Sequence, residues 1–299
     1  MTTTPRKFGL SMHDAARAMG IKFREDAQPE DKSLTMNGLR FHYLDWGKEG
    51  NPPLVLLHGG GQTCHMWDFF SLVFRDQYHI YALDQRNHGD TDVSEDNSLD
   101  SQMADVGGFL DHLGVGRTRL IGFSMGGRNS FCYTALNPDR VEALVIVDVG
   151  PEMKSRQGGD GIRDPNKIQT FKSLDDIAER IRKHTPNRSI EQIKGSLVHT
   201  VYQRDDGTWG WKNQRGGMPI GGSWDSELMW EYVGKIKCPT LVVRATQSEV
   251  FPGETADKMI DMMPNAMQMA IGNSGHRVAG DNPLHFERAV RGFFDTLPD

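Results

Sequence analysis

The sequence predicts an α/β protein: a mostly parallel sheet covered by helices on both faces, with a helical cap inserted between two late strands. Three observations carry that expectation. Unbroken apolar runs recur at Pro53–Leu57, His79–Leu83, Thr118–Phe123, Val141–Val149, Pro239–Val243 and Met267–Ile271. Runs of that kind are strands buried on both faces, as parallel sheets require. Helical patterns at Leu99–Leu113, Glu254–Met263 and Pro283–Phe294 alternate with them or follow them, which is the pattern of helices packed on a sheet. One block, residues 151–237, breaks the alternation.

Taken in order, residues 1–32 form a polar N-terminal extension with one amphipathic stretch, Met12–Met19. It is expected to pack on its own chain's surface or on a partner copy, as in a homodimer. Ser33–Trp46 reads as a hairpin, with Asn37-Gly38 supplying the positive-φ turn. The core comprises residues 33–150 and 238–299. Its first parallel strand, Pro53–Leu57, runs into His58-Gly59-Gly60-Gly61, and the next, His79–Leu83, ends at Asp84. Thr118–Phe123 leads into Gly122-Phe123-Ser124-Met125-Gly126, after which Gly127–Leu136 is helix-like. The block 151–237 is polar and helix-rich, has no apolar strand run, and holds Trp209, Trp211, Trp224 and Trp230. It is expected to lie as a cap over the strand ends, where open α/β sheets bind ligands. A second independent domain would need two long linkers, and none is visible.

Composition excludes several function classes. Hydrophobic content of 37% and charged content of 25% are those of an ordinary soluble globular protein. The net charge of -6, with no basic run, argues against nucleic acid. Met1–Arg24 lacks the apolar region of a signal peptide, and no later stretch is long enough to span a membrane. Cys64, Cys132 and Cys238 are odd in number and widely spaced, which fits reduced thiols in the cytoplasm. Neither metal nor cofactor is expected. No His/Asp/Glu cluster has metal-ligand spacing, and Gly59-Gly60-Gly61 is not followed by the Lys-Ser/Thr pair of a phosphate loop.

The chemistry centres on Ser124. In G-x-S-x-G between a strand and a helix, the serine sits on a sharp turn with its hydroxyl pushed outward. With 33 glycines in the chain the motif alone is weak. The partners decide. A serine hydroxyl needs a base, and the base an orienting acid. His276, in the loop after the last strand run, is the expected base among 11 histidines; His58, His65 and His88 are its rivals. The expected acid is Glu249, just past Pro239–Val243, with Asp148 as the alternative. Two N–H groups must hold the developing oxyanion: Met125 supplies one and Gly60 the other. Candidate substrate-binding positions are Gly61, Arg128, Trp224 and Trp230. For Arg128 an exposed place on the helix is the more ordinary reading, and the tryptophans could equally be core.

With these residues in place the chain resembles the α/β-hydrolase superfamily over nearly all of residues 33–298, the cap being the loosest part. His58-Gly59-Gly60-Gly61 is similar to the family's oxyanion loop, Gly122–Gly126 to its elbow, and Asp84-Gln85-Arg86-Asn87-His88-Gly89 to its D-x-R-G-x-G turn. Gly275-His276, with Asp281-Asn282-Pro283 and Phe286, resembles its histidine loop and last helix. Three positions depart: Asn87 and Ala245 where glycine is preferred, and Glu249 where Asp is commoner. The resemblance implies a serine hydrolase of a small-molecule carboxylic ester or lactone. Relatives that cleave a carbon–carbon bond in a vinylogous keto acid offer an alternative, for which Arg128 could take a carboxylate. A receptor that keeps the fold without catalysis is a third.

Overall fold

In the computed structural model, residues 9–154, 169–184, 189–212 and 225–298 are described. Trp224 and the Gly-Gly pairs of the insertion lie outside them. In chain order the elements are α1 (Met12–Ala18), β1 (Glu30–Met36), β2 (Leu39–Asp45), β3 (Pro53–Leu57), a 3-10 turn (Cys64–Trp67) and α2 (Asp68–Phe74). Then follow β4 (His79–Leu83), α3 (Leu99–His112), β5 (Thr118–Phe123), α4 (Met125–Leu136) and β6 (Val141–Val147). The next stretch carries α5 (Leu174–His184), α6 (Ile190–Leu197), β7 (Val201–Gln203), β8 (Trp209–Trp211) and α7 (Ser226–Lys235). The chain closes with β9 (Thr240–Ala245), α8 (Gly253–Met262), β10 (Ala266–Ile271), α9 (Val278–Asp281) and α10 (Pro283–Phe294).

The eight-stranded sheet runs β1-β2-β4-β3-β5-β6-β9-β10. β1, β2 and β4 pair antiparallel, and every pair from β4 to β10 is parallel. The hairpin turns at Asn37 (φ 50°) and Gly38 (φ 76°), a pair that tolerates the left-handed region. Every residue of β5 is buried, as a central strand covered on both faces demands. One face of the sheet packs on Phe70, Phe74, Phe286 and Phe293 of α2 and α10. The other packs on Phe109, Phe131 and Met259 of α3, α4 and α8.

The expected fold class is the observed one. Residues 64–74 form the 3-10 turn and α2, elements beyond those that the sequence predicts. Among the described residues of 151–237 there are two short strands, β7 and β8, which pair with each other; at three residues each they leave no run to read. This stretch has its own small core, with Phe171, Ile177, Ile193, Leu197 and Trp211 buried together. Trp211 sits edge-on to Phe171 and donates from Nε1 to Gln169 Oε1 at 2.9 Å, so it is core. α7 is different: Met229, Tyr232 and Val233 join the sheet's own core, and the helix packs on α4. The N-terminal segment packs on its own chain. α1 lies against α2 and α6, with Ala15 and Ala16 buried.

Candidate active site

The turn from β5 to α4 puts Ser124 at φ 51°, ψ −116°, a strained conformation for a residue with a side chain. Neighbours hold it there. Ser124 N–H donates to Val147 O at 3.0 Å, extending the ladder to β6, and Gly126 N–H donates to His58 O at 3.1 Å. The flanking glycines are obligatory. A Cβ on Gly122 would stand 2.3 Å from Gly126 O, and one on Gly126 2.3 Å from Leu57 O. Backbone this close leaves room only for hydrogen.

His276 comes from the loop after β10. That loop is pinned by Gly275 N–H donating to Asp281 Oδ2 (3.0 Å) and Asn282 Nδ2 donating to Gly272 O (2.8 Å). The ring packs on Phe123, 4.8 Å between centroids. His276 Nε2 is 3.1 Å from Ser124 Oγ, and Nδ1 is 2.8 Å from Asp148 Oδ2. A proton on Nδ1, donated to the carboxylate, leaves Nε2 free to accept the serine proton.

The carboxylate at His276 is thus Asp148, and the preference for Glu249 is corrected. Glu249 is exposed, while Asp148 is fully buried at the end of β6. The reason is strand order. β6 lies directly beside β5, whereas the loop after β9 is one strand further away. Asp148 has φ 52° and donates its N–H to Val243 O at 2.8 Å. Its Oδ1 accepts from Ala245 N–H (2.8 Å), and its Oδ2 accepts from Ser248 Oγ (2.7 Å) as well as from His276. Ser248 is the residue sequence reasoning passed over: the loop after β9 contributes a hydroxyl that steadies the acid.

The rival histidines have other work. His58 Nδ1 donates to Gly59 O (2.8 Å), and its Nε2 accepts from Gln85 N–H (3.0 Å). His88 Nδ1 donates to Arg86 O (2.9 Å), and its Nε2 accepts from Gly61 N–H (2.9 Å). Together they hold the loop after β3 against the turn after β4. His65 lies on the 3-10 turn, bonded to Asp68. Because the Gly61 N–H is taken, the exposed Gly60 remains the candidate donor on this loop. Met125 is the first residue of α4, where an N–H has no acceptor within the helix.

Arg128 is buried, not on the helix surface. Its Nη2 donates to Gln102 Oε1 (2.7 Å) and Asn129 Oδ1 (3.0 Å), and burial pushes the guanidinium below its ordinary range. Trp230 meets Glu152 Oε1 through Nε1 (2.9 Å) and carries the Lys258 ammonium 3.9 Å from its ring centroid; these contacts do not involve Ser124 or His276. Burial pushes the Cys132 thiol up to about 12, so it is an inert packing group.

A parallel sheet bearing a strained serine, a histidine and a buried aspartate at neighbouring strand ends defines a hydrolase. The chain belongs to the α/β-hydrolase family: the family model described as alpha/beta hydrolase fold matches residues 52–283. Among curated relatives it is similar to the esterase Rv0045c of Mycobacterium tuberculosis, 27% identical over 263 residues, covering 85% of this chain and 86% of that protein. An sn-1-specific diacylglycerol lipase of Danio rerio is 26% identical over 255 residues, covering 82% of this chain and 78% of that one. A 2-hydroxy-6-oxo-6-(2'-aminophenyl)hexa-2,4-dienoic acid hydrolase of Metapseudomonas resinovorans is 23% identical over 295 residues, covering 95% and 97%. The crystal structure of the mycobacterial esterase superposes with a TM-score of 0.79 at 24% identity, covering 99% of this chain and all of that one, and shares its fold. Among the described residues no helix is long and apolar enough to cross a membrane.

Proposed function

We propose that this chain is a serine hydrolase that cleaves a carboxylic ester or lactone through an acyl-enzyme. The observation that carries the reading is the relay Ser124 Oγ–His276 Nε2 (3.1 Å) and His276 Nδ1–Asp148 Oδ2 (2.8 Å). His276 takes the proton as Ser124 Oγ bonds to the carbonyl carbon, and Asp148 stabilises the imidazolium that forms. The Met125 and Gly60 N–H groups receive the oxyanion. His276 then returns the proton to the departing alkoxide, and the same base activates water to release the acid. Similarity to a named esterase and a named lipase supports the bond type. The separate small core formed by residues between Phe171 and Trp211 supports reading the stretch 151–237 as a cap over the site. Ser124→Ala should lower turnover of p-nitrophenyl acetate by several orders of magnitude, because triad members act as a unit. A folded variant with near-normal hydrolysis would rule the reading out.

A second reading has its own support. Arg128 lies four residues past the nucleophile and is buried. A desolvated guanidinium of this kind suits a substrate carboxylate, and a relative named as a dienoic acid hydrolase aligns over nearly the whole chain. In that reading the same serine site cleaves a carbon–carbon bond beside a ketone. Comparing kcat/KM for a ring-cleavage dienoate with that for simple esters separates the two. A non-catalytic receptor on this fold would leave Ser124 unlabelled by a fluorophosphonate.

A further inference from the structure

A cavity of about 200 Å³, not lined by Ser124, His276 or Asp148, opens between α1, the 3-10 turn, α6 and α9. Its lining includes His65, Asp68 and His199. One nitrogen or oxygen from each of these three side chains lies within 4.8 Å of the other two. His65 and Asp68 are one helical turn apart on the core side. His199 follows α6 and reaches across from the inserted stretch. The two imidazoles stack, 3.4 Å between centroids and 23° between planes.

We propose that His65, Asp68 and His199 bind a divalent first-row transition-metal ion of the zinc type. Two features carry this. Two imidazoles and a carboxylate are the donor set such ions prefer, whereas calcium and magnesium want oxygen alone. Bonds of about 2.0–2.2 Å in a tetrahedral site space the donors by roughly 3.3–3.6 Å, and the two rings must turn out of their stacked arrangement for both nitrogens to point at one ion. Asp68 Oδ1 is buried without a hydrogen-bond partner among the described residues, and an unsatisfied buried carboxylate oxygen is costly unless something binds it. Three protein donors leave a fourth coordination position open, and the cavity they line gives the ion a way in.

Among the described residues the other group with metal-type donors, His42, Cys64 and Asp84, lacks this vacancy in its bonding. Asp84 Oδ1 accepts from Cys64 N–H (2.7 Å), and Oδ2 accepts from His42 Nδ1 (2.7 Å) and Asp90 N–H (3.0 Å). Spacing along the chain hides the His65 site, because its third member comes from the insertion. An ion there would tie that insertion to the turn that follows the Gly59–Gly61 loop.

The test is titration of the full chain, stripped with chelator, with ZnCl2 by calorimetry, and with CoCl2 by visible absorption. One ion per chain should bind, the cobalt form should show the intense d–d band of a four-coordinate ion, and zinc should raise the melting temperature. His199→Gln and Asp68→Asn should each weaken zinc at least about tenfold, as loss of even an outer partner does. Far-UV circular dichroism checks that each variant is folded, and His65→Gln replaces any that is not. No saturable binding overturns the proposal. So does binding that survives His199→Gln but is lost in His276→Gln, which would place the ion on the triad.

Discussion

Three hydrogen bonds converge on one buried carboxylate, and they mark Asp148 rather than Glu249 as the residue that orients His276. Asp148→Asn keeps the shape but reverses which Nδ1 tautomer is favoured, and should cut ester turnover roughly a thousandfold to ten-thousandfold. Glu249→Gln, on an exposed side chain, should leave turnover near the wild-type rate. Steady-state rates of the two variants with one p-nitrophenyl ester decide the assignment. Ser124 and His276 were legible in the sequence because each sits in a short local pattern with its own turn chemistry. The acid was not, because both carboxylates follow strands and both satisfy the chain order serine, acid, histidine. What separates them is which strand neighbours β5, a property of the folded sheet. Arg128 was misplaced for a related reason: an arginine on a first helical turn is ordinarily wet, and it is the packing around α4, with Gln102 of α3 accepting from its Nη2, that buries this one.

At the scale of elements, the glycines of α4 and α10 separate two effects that sequence alone merges. Replacing glycine by alanine inside a helix ordinarily adds about 0.5–1 kcal/mol of stability. Gly292 in α10 has open space where a Cβ would go, so Gly292→Ala should raise the unfolding free energy by about that amount. Gly126→Ala should do the opposite. Its Cβ would meet the backbone at Leu57 O, 2.3 Å away, and overpacking of this kind costs about 1–3 kcal/mol. Urea midpoints of the two variants should move in opposite directions, and the α4 variant should also lose activity as the Met125 N–H shifts. The sheet strands were legible because an unbroken apolar run has few other uses. β7 and β8 were not, because each is three residues long and the second is Trp-Gly-Trp, which carries no alternation to read.

Across the whole molecule, His42 ties three separate parts of the chain. Its Nδ1 meets Asp84 Oδ2 at 2.7 Å, and its Nε2 meets Asp31 Oδ1 at 3.1 Å. Two carboxylates on two ring nitrogens call for an imidazolium. Burial by itself would push His42 down, but the hydrogen bonds to Asp31 and Asp84 and the charge of Asp84 outweigh it and push it up to about 9 from 6.5. A raised folded-state value means the contribution is complete below pH 6.5 and is lost as pH rises through about 9. The stability gap between wild type and His42→Gln should therefore shrink between pH 6 and pH 10, by up to about 3 kcal/mol. A gap that is constant across that range would show that the ring is held neutral.

The position of Asp148 also bears on when the enzyme becomes an enzyme. A chain leaving the ribosome has Ser124 and Asp148 long before it has Ala245, Ser248 or His276. Until β9 docks on β6, nothing supplies the Ala245 N–H and the Ser248 hydroxyl to the carboxylate, and until the loop after β10 closes, the serine is an ordinary alcohol. In the proposed mechanism, reactivity is therefore the last property acquired during synthesis. It is also the first forfeited if the C-terminal segment loosens, so activity should fade before the bulk of the helix signal on mild heating.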